Sequence, residues 1–223
     1  MNAVVVKVGG SLALYPEKLR GLCAKLSELS KVHMLLLVPG GGIFADTVRN
    51  LDKRFNLSSV TAHRMAILGM DQYGLMLLDL CPNSQLITNL KSLGESSQIG
   101  KLHVLLPSAF VYHESALESS WDLTSDSIAA FIAWKLHVTR LILVTDVDGV
   151  FDCDPKKFPE AKLIRRLPAA ELLRTNERTA VDRFLPKLLL KTAIDCFVVN
   201  GFYPERIEAI LNETDTVCTV IAH

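Results

Sequence analysis

The chain has 223 residues, and its 24 basic side chains balance its 24 acidic side chains, so its formal net charge is zero. This balance gives no electrostatic attraction for nucleic acid or for an anionic membrane surface, and we expect neither as a partner. Apolar residues make up 49% of the chain and charged residues 22%, a composition that excludes a disordered or fibrous protein. The apolar runs Met34–Val38 and Leu141–Val144 are far shorter than the roughly 18 residues of a membrane span, so we expect a soluble protein.

The five cysteines and six histidines do not stand in spacings that suit a metal site or a redox pair. No two cysteines form a CxxC pair and no HExxH motif occurs, so we predict no metal-ligating cluster of protein residues. We interpret the cysteines as reduced residues of a cytoplasmic protein. The amino terminus also lacks the basic-then-apolar order of a signal peptide and enters a strand pattern at once.

In the first half of the chain, apolar runs that predict buried strands alternate with stretches whose apolar residues recur at helical spacing. Two of the strand runs stop at glycines, which is typical of tight turns between a strand and a helix. The predicted elements are a strand at Val4–Val8, a helix from Pro16 to Leu29, a strand at Met34–Val38, helices at Ile43–Phe55 and Ser58–Leu80, and strands at Leu86–Thr88 and Val104–Pro107.

The second half continues the alternation. Its predicted elements are a loop from Ser108 to Trp121, a helix at Thr124–Leu136, a strand at Leu141–Val144, a polar stretch at Cys153–Pro159, helices near Ala169–Arg174, Leu185–Ala193 and Pro204–Leu211, and strands at Cys196–Val199 and Val217–Ile221. The pattern predicts an α/β protein, a three-layer α/β/α sandwich with a mostly parallel central sheet. Ligands of such sheets bind beyond the carboxyl ends of the strands, so we expect both glycine turns and the turn after Val144 to meet in one crevice.

Lys7 stands directly before the first glycine turn, Gly9-Gly10, which Ser11 follows. Glycines leave backbone amides uncovered, and uncovered amides beside an ammonium group are what a polyphosphate requires. The same residues could also form no more than a tight turn, with Lys7 in solvent, and this alternative stays open.

Lys187 is a second candidate cation. Pro186 suits the first turn of a helix, which would place the ammonium of Lys187 near the positive end of that helix, where anions bind. Lys191 lies four residues later, and a basic stripe of this kind is usually a solvated face.

Three familiar nucleotide and metal motifs do not apply. The segment 40–45 satisfies GxGxxA, but positions 58–62 lack the acidic residue that a dinucleotide site needs about 20 positions later. An EF-hand loop starting at Asp146 would require glycine and glutamate where Phe151 and Lys157 stand. The chain also contains no GxxxxGK[ST] sequence, which excludes a P-loop.

Taken in order, these segments resemble the amino acid kinase family over nearly the whole chain. Lys7–Ser11 is similar to the family's opening K-x-G-G-S, and Pro39–Gly42 is similar to its second glycine loop. Thr124–Ala130 resembles the (T/N)-x-D segment before a small-residue helix, and Thr145–Pro155 resembles the nucleotide turn T-D-V-x-G-V-(Y/F)-x-x-D-P. Lys187 corresponds to the family's second lysine, but the glycines that usually precede that lysine are absent here.

The resemblance implies an ATP-dependent small-molecule kinase that uses Mg²⁺, with an acceptor lobe at residues 1–138 and a nucleotide lobe at residues 139–223. It implies that Lys7 and Lys187 hold the transferred phosphoryl group and that Asp126 orients these lysines. It also implies a homodimer or a higher homo-oligomer. The nucleotide contacts that it implies are Gly9, Gly10, Ser11, Thr145, Asp146, Gly149, Val150, Phe151, Asp154 and Pro155.

Within the family, residues 44–49 and 62–74 are similar to the small aminomethylfuran phosphate kinases of methanofuran biosynthesis, which convert a phosphomonoester into a diphosphate. The acceptor contacts that this similarity suggests are Gly41, Gly42, Asp46, Arg49, His63, Arg64 and Thr124. The arginines could instead be solvated, and apolar residues of this segment could be core. Two other functions stay open, a kinase that makes an acyl phosphate and a non-catalytic nucleotide or oxyanion binder. The presence of both Lys7 and Asp126 favours catalysis.

Overall fold

The computed structural model describes residues 3–89, 99–112, 120–174 and 180–222. Its strands are β1 (Ala3–Val8), β2 (Met34–Pro39), β3 (Ser84–Ile87), β4 (Leu102–Leu105), β5 (Arg140–Thr145), β6 (Arg166–Pro168), β7 (Asp195–Asn200) and β8 (Thr219–Ala222). Its α-helices are α1 (Pro16–Leu29), α2 (Gly42–Phe55), α3 (Ser59–Leu80), α4 (Ser108–Val111), α5 (Ser125–Lys135), α6 (Ala169–Arg174), α7 (Leu185–Leu189) and α8 (Glu205–Leu211). A 3₁₀ turn at Gly10–Leu14 follows β1.

Within the described ranges, the strands form one eight-stranded sheet in the order β3-β4-β2-β1-β5-β7-β8-β6. Neighbouring strands are parallel except for β7 and β8, which are antiparallel. Val8, at the end of β1, lies opposite Pro39 of β2 and Val144 of β5. The carboxyl ends of these three central strands are therefore side by side.

Helices cover both faces of this sheet, which gives the three layers that the sequence predicts. Val4, Val6 and Val8 of β1 pack in a cluster that includes the apolar residues of α1 and α8. Val5 faces the opposite side and packs in a cluster with residues of α5, α6 and α7. Because both faces of β1 are buried, its sequence is a continuous apolar run and not an alternating one.

Apart from shifts of one or two residues at the ends of elements, three local features differ from the sequence prediction. Residues Ser108–Val111 form a short helix where we predicted a loop, and residues 113–119 of that loop lie outside the described residues. The helix predicted to reach Ala193 ends at Leu189. The chain then turns, and the amide of Asp195, the first residue of β7, donates to Thr139 O just before β5. Strand β6 was not predicted, since three residues are too few to show a period.

No helix within the described part of the chain is both long and apolar enough to cross a membrane.

Candidate active site

The two glycine turns are in direct contact at the carboxyl edge of the sheet. The amide of Gly9 donates to Val144 O at 2.8 Å, and the amide of Gly40 donates to Val8 O at 2.8 Å. A Cβ atom added at Gly10 would lie 2.1 Å from Gly42 N, and Gly42 itself has a φ of +53°. Only residues without a side chain allow the two backbones to approach this closely.

Lys7 and Asp126 form an ion pair beside this contact. Lys7 Nζ lies 2.7 Å from Asp126 Oδ1, and the two side chains are only 11% and 9% exposed. Asp126 stands in the first turn of α5, which packs over β1. Since two buried charges of opposite sign satisfy one another, the pair places a fixed ammonium group at the end of the central strand.

A first cavity of about 340 Å³ opens over the glycine turns and the start of α5. Its polar wall includes Lys7, Ser11, Thr124 and Thr145, and its apolar wall includes Ile67, Met70, Trp121, Leu123 and Ile128. Six of the seven predicted acceptor contacts line this cavity, namely Gly41, Gly42, Asp46, Arg49, His63 and Thr124. The structure therefore brings most of these residues together around a space that a small molecule can enter.

The seventh predicted acceptor contact, Arg64, lies away from this cavity. Its side chain is on the exposed side of α3, and its guanidinium group lies 5.9 Å from the centre of the Tyr112 ring. The hydroxyl group of Tyr112 donates to Arg64 O at 2.8 Å. Arg64 thus belongs to a surface contact between α3 and the segment after α4.

Arg49 is held at the edge of the first cavity by two neighbours. Its Nη1 atom lies 2.6 Å from Asp46 Oδ1, and its guanidinium group lies 4.8 Å from the centre of the Trp121 ring. The Trp121 ring is itself fixed, because its Nε1 donates to Asp52 Oδ2 at 2.8 Å. Neither Trp121 nor Asp52 was a candidate from the sequence.

His63 contributes a buried polar atom to the first cavity's wall. The residue is 9% exposed, and its Nε2 atom has no hydrogen-bond partner among the described residues. Burial lowers the pKa of His63, and a weaker opposing effect comes from a hydrogen bond with the Ser120 backbone. His63 is therefore neutral at pH 7, with an Nε2 atom that a ligand can satisfy.

The amino termini of α2 and α5 differ in which groups accept hydrogen bonds from their free backbone amides. Gly41 is the N-cap of α2 and supplies no side-chain hydrogen bond, and the first turn of α2 carries no acidic residue. Gly41, Gly42 and Ile43 all line the first cavity. The start of α5, by contrast, donates to the carboxylate of Asp182 from Thr124 N and Ser127 N. The positive end of α2 is thus the one that remains open to a bound anion.

A second cavity, of about 1060 Å³, lies beyond β5 on the other side of Thr145, which lines both cavities. The predicted nucleotide contacts from the second half of the chain all line it, namely Thr145, Asp146, Gly149, Val150, Phe151, Asp154 and Pro155. Gly149 has a φ of +154°, and a Cβ added there would lie 2.4 Å from Thr219 Oγ1. The predicted contacts Gly9, Gly10 and Ser11 line the first cavity.

Asp146 links the two cavities through hydrogen bonds. Its Oδ1 atom accepts from Ser11 Oγ at 3.0 Å, and its Oδ2 atom lies 2.5 Å from Lys156 Nζ. Burial acts to raise the pKa of Asp146, but the hydrogen bonds from Lys156 and Ser11 together lower it below its usual value. Lys156 was not predicted from the sequence. Lys156 and Lys157 both line the second cavity.

Lys187 is not brought to either cavity by the described structure. It lies in α7 with an exposed side chain, and its Nζ atom lies 5.5 Å from the centre of the Phe184 ring. Helix α7 has five residues, and the amides of Phe184 and Leu185 at its start donate to Asp182 Oδ1. The start of α7 therefore does not offer the anion site that we expected from Pro186.

A third cavity, of about 580 Å³, lies behind the ion pair and is lined by both Asp126 and Asp182. Arg49, Trp121 and Thr124 line this cavity as well as the first, so they form the wall between the two.

The sequence and the fold both resemble those of known kinases. Residues 2–200 match the model of the amino acid kinase family. The chain is 35% identical to the [5-(aminomethyl)furan-3-yl]methyl phosphate kinase of Methanocaldococcus jannaschii over 97% of this chain and 96% of that protein. It is 27% identical to the uridylate kinase of Methanococcoides burtonii, again over 97% of this chain and 96% of that protein. The crystal structure of uridylate kinase from Archaeoglobus fulgidus matches the fold with a TM-score of 0.76 at 21% identity and covers 100% of both chains.

Proposed function

The chain belongs to the amino acid kinase family, and we propose that this kinase transfers the γ-phosphoryl group of ATP to a phosphomonoester to form a diphosphate. The proposed acceptor is a small ring compound that carries an amine and a phosphate. It is of the same type as [5-(aminomethyl)furan-3-yl]methyl phosphate, the compound in the name of the relative from Methanocaldococcus jannaschii. Such a reaction belongs to methanofuran biosynthesis.

The observation that carries the proposal is the open amino terminus of α2 in the first cavity. Its uncapped first turn lies in the same cavity as Lys7 and Arg49. Amides at a helix amino terminus, together with a lysine and an arginine, form a binding site for a doubly charged phosphate. An amino acid carboxylate carries less charge and would need fewer of these groups.

The rest of the first cavity suits the body of the acceptor. Ile67, Met70 and Ile128 offer an apolar wall to a small ring. The unpartnered Nε2 of neutral His63 accepts a hydrogen bond from an N–H or O–H group, and the Asp46 carboxylate lies in the same wall. An amine of the acceptor would therefore find a hydrogen-bond acceptor at His63, and Asp46, which pairs with Arg49, adds a negative charge to the same wall.

ATP is proposed to occupy the second cavity with its phosphates directed to Gly9, Gly10 and Lys7. This agrees with the two proposed lobes, because the lining of the first cavity comes from residues 1–138 except for Thr145, and that of the second from residues 139–223. The described residues include no group of three or more His, Cys, Asp or Glu side chains that could hold a metal. Mg²⁺ would accordingly be bound mainly by nucleotide phosphates and water, where it neutralises phosphate charge.

The chemistry asks the protein for positioning and for positive charge. An oxygen of the acceptor phosphate forms a bond to the γ-phosphorus, the bond from that phosphorus to the β,γ-bridging oxygen breaks, and ADP leaves. The acceptor oxygen is already ionised at pH 7, so no general base has to remove a proton. The Lys7 ammonium, fixed by Asp126, stabilises the charge on the transferred group.

The test is turnover with ATP and Mg²⁺ over a panel that contains the aminomethylfuran phosphate, UMP, isopentenyl phosphate, glutamate and acetylglutamate. We expect ADP release and a diphosphate signal in ³¹P NMR with the aminomethylfuran phosphate. Hydroxylamine, added in parallel, converts an acyl phosphate to a hydroxamate and leaves a phosphoanhydride intact. Hydroxamate formation together with no turnover of phosphomonoesters would replace our proposal by the acyl-phosphate alternative. Tight ATP binding without any turnover would favour the non-catalytic binder.

A further inference from the structure

We infer that Asp182 is a positioning residue of the phosphoryl-transfer site, which holds Asp126 and, through Asp126, the ammonium group of Lys7. This inference rests on the proposed function, because it concerns the same ion pair. The sequence offers no family motif at this position, where the residues 182–186 replace the expected glycines.

The carboxylate of Asp182 is surrounded by donors from two separate segments. Its Oδ2 atom accepts from Thr124 N at 3.1 Å, from Thr124 Oγ1 at 2.9 Å and from Ser127 N at 2.9 Å. Its Oδ1 atom accepts from Ser127 Oγ at 2.5 Å, from Phe184 N at 3.1 Å and from Leu185 N at 2.9 Å. One half-buried side chain thus joins the start of α5 to the start of α7.

These contacts enclose Asp126 on both sides. Thr124 and Ser127 stand before and after Asp126 in the first turn of α5, and both are fixed by the Asp182 carboxylate. The backbone amide of Asp182 also donates to Asp126 Oδ2 at 3.1 Å, while Asp126 Oδ1 pairs with Lys7 Nζ. The orientation of the Asp126 carboxylate therefore depends on Asp182 at one oxygen and on Lys7 at the other.

A role in helix capping alone does not explain this arrangement. Thr124 is the N-cap of α5 and has a hydroxyl group able to accept from the first turn, yet it makes no such cap bond and donates to Asp182 instead. Burial raises the pKa of Asp182, and the nearby charge of Asp126 raises it further. A second carboxylate, half-buried, is thus placed beside Asp126 at an electrostatic cost, which the surrounding hydrogen bonds offset.

The kinetic test is a double-mutant cycle of Asp182→Asn with Asp126→Asn, each assayed at saturating ATP and acceptor. The asparagine NH₂ group cannot accept from an amide, so part of the network is lost while the side chain keeps its size. We expect Asp182→Asn to lower kcat about tenfold or more and to change each KM less than about threefold. In the Asp126→Asn background, the same change should lower kcat by less than about twofold. An equal fold-loss in both backgrounds, or an unchanged kcat, would overturn the inference.

Asp215→Asn is the matched control, because Asp215 is an exposed carboxylate whose partner Arg165 lies outside all three cavities. We expect no change in kcat for this variant. If Asp182→Asn does not fold, Ser127→Ala keeps the Asp182 carboxylate and deletes one of its hydrogen bonds. Its effect on kcat should again disappear in the Asp126→Asn background, and persistence of the effect there would contradict the inference.

A readout independent of turnover separates this inference from the proposed function. The Lys7 ammonium is buried and paired, so its ¹⁵N NMR signal can be observed and assigned by its loss in Lys7→Arg. We expect Asp182→Asn to shift or broaden this signal and Asp215→Asn to leave it unchanged. An unchanged signal in Asp182→Asn overturns the inference even if the panel of acceptors identifies a substrate. A shifted signal supports it even if no acceptor on the panel turns over.

Discussion

Lys7 Nζ and Asp126 Oδ1 lie 2.7 Å apart, although one residue belongs to the central strand and the other to the first turn of a helix packed over that strand. The pair lies where the first and third cavities approach each other, since Lys7 lines the first and Asp126 the third. The ammonium of Lys7 is therefore fixed toward the first cavity by a carboxylate on the opposite side.

Lys7→Ala should remove most of the turnover. Loss of a charge that acts in the transition state costs about 3 kcal/mol, hence at least about a hundredfold in kcat. The thermal unfolding temperature should fall too, because Asp126 remains buried without its partner. Steady-state kinetics and calorimetry measure the two effects, and Lys31→Ala, at an exposed lysine, is the control. Unchanged kcat in Lys7→Ala would exclude a role of Lys7 in catalysis.

Tyr73→Phe should weaken the turn that follows Lys7. The Tyr73 hydroxyl is buried in α3 and donates to Gly9 O at 3.3 Å, so the phenylalanine variant leaves that carbonyl without this donor. We expect the free energy of unfolding to decrease by about 1 kcal/mol, measured in urea, and KM for ATP to increase. Tyr112→Phe removes a surface hydrogen bond to Arg64 O and should change neither quantity. Equal effects of the two variants would show that the Gly9 contact has no special importance.

His63 should make stability depend on pH on the acid side of neutrality. Burial lowers the pKa of His63 below its ordinary value of 6.5, so below pH 6.5 the unfolded chain binds a proton that the folded chain does not. Stability from this group is complete above pH 6.5 and decreases as the pH falls toward the folded-state pKa. Urea unfolding between pH 7.5 and 5.5 should therefore show a smaller loss in His63→Gln than in the unmodified protein. Identical losses of stability in the two proteins would show that the burial of His63 does not control the pH dependence.

Arg49→Lys and Arg64→Lys form a matched pair for the acceptor site. Arg49 lines the first cavity and can pair with phosphate through two N–H groups, whereas Arg64 stacks on Tyr112 outside it. We expect KM for the phosphomonoester to increase about tenfold in Arg49→Lys and to be unchanged in Arg64→Lys. The KM for ATP should stay constant in both variants. A larger increase of this KM in Arg64→Lys than in Arg49→Lys would show that the acceptor phosphate binds near Arg64 and not in the first cavity.

Gly10→Ala and Gly21→Ala should have opposite effects on stability. A Cβ at Gly10 meets the backbone of Gly42 at about 2 Å, whereas one at Gly21, within α1, meets nothing within 4 Å. The first change should therefore destabilise the protein strongly, and the second should stabilise it by up to about 1 kcal/mol. Urea denaturation measures both. A stable, active Gly10→Ala variant would show that the two turns can separate.

Apart from β6 and α4, the sequence was sufficient to predict the elements and their order, because buried parallel strands are continuous apolar runs and the glycine turns mark their ends. It was also sufficient to predict that both glycine turns and Thr145 lie at one edge of the sheet. It did not separate Arg49 from Arg64, because both lie on helices and only the packing of α3 shows that Arg64 faces away from the cavity.

The role of Asp182 was missed for a different reason. An aspartate just before an apolar run is a local sign of a helix cap, and its bonds to Phe184 and Leu185 could be predicted on that basis. Its bonds to Thr124 and Ser127 depend on how α5 and α7 pack, which no local pattern in the chain reports.

The contact between Gly10 and Gly42 has a consequence for how the two substrates affect each other. A Cβ at Gly10 would lie 2.1 Å from Gly42 N, so a nucleotide that pushed the first turn toward the second would have to displace the second as well. If the nucleotide favours one arrangement of the touching turns, the acceptor that fits this arrangement binds more tightly, and the acceptor strengthens nucleotide binding by the same factor. With the two substrates bound as proposed, the paired glycines would therefore couple the two sites mechanically, and the apparent affinity for either substrate would depend on the concentration of the other.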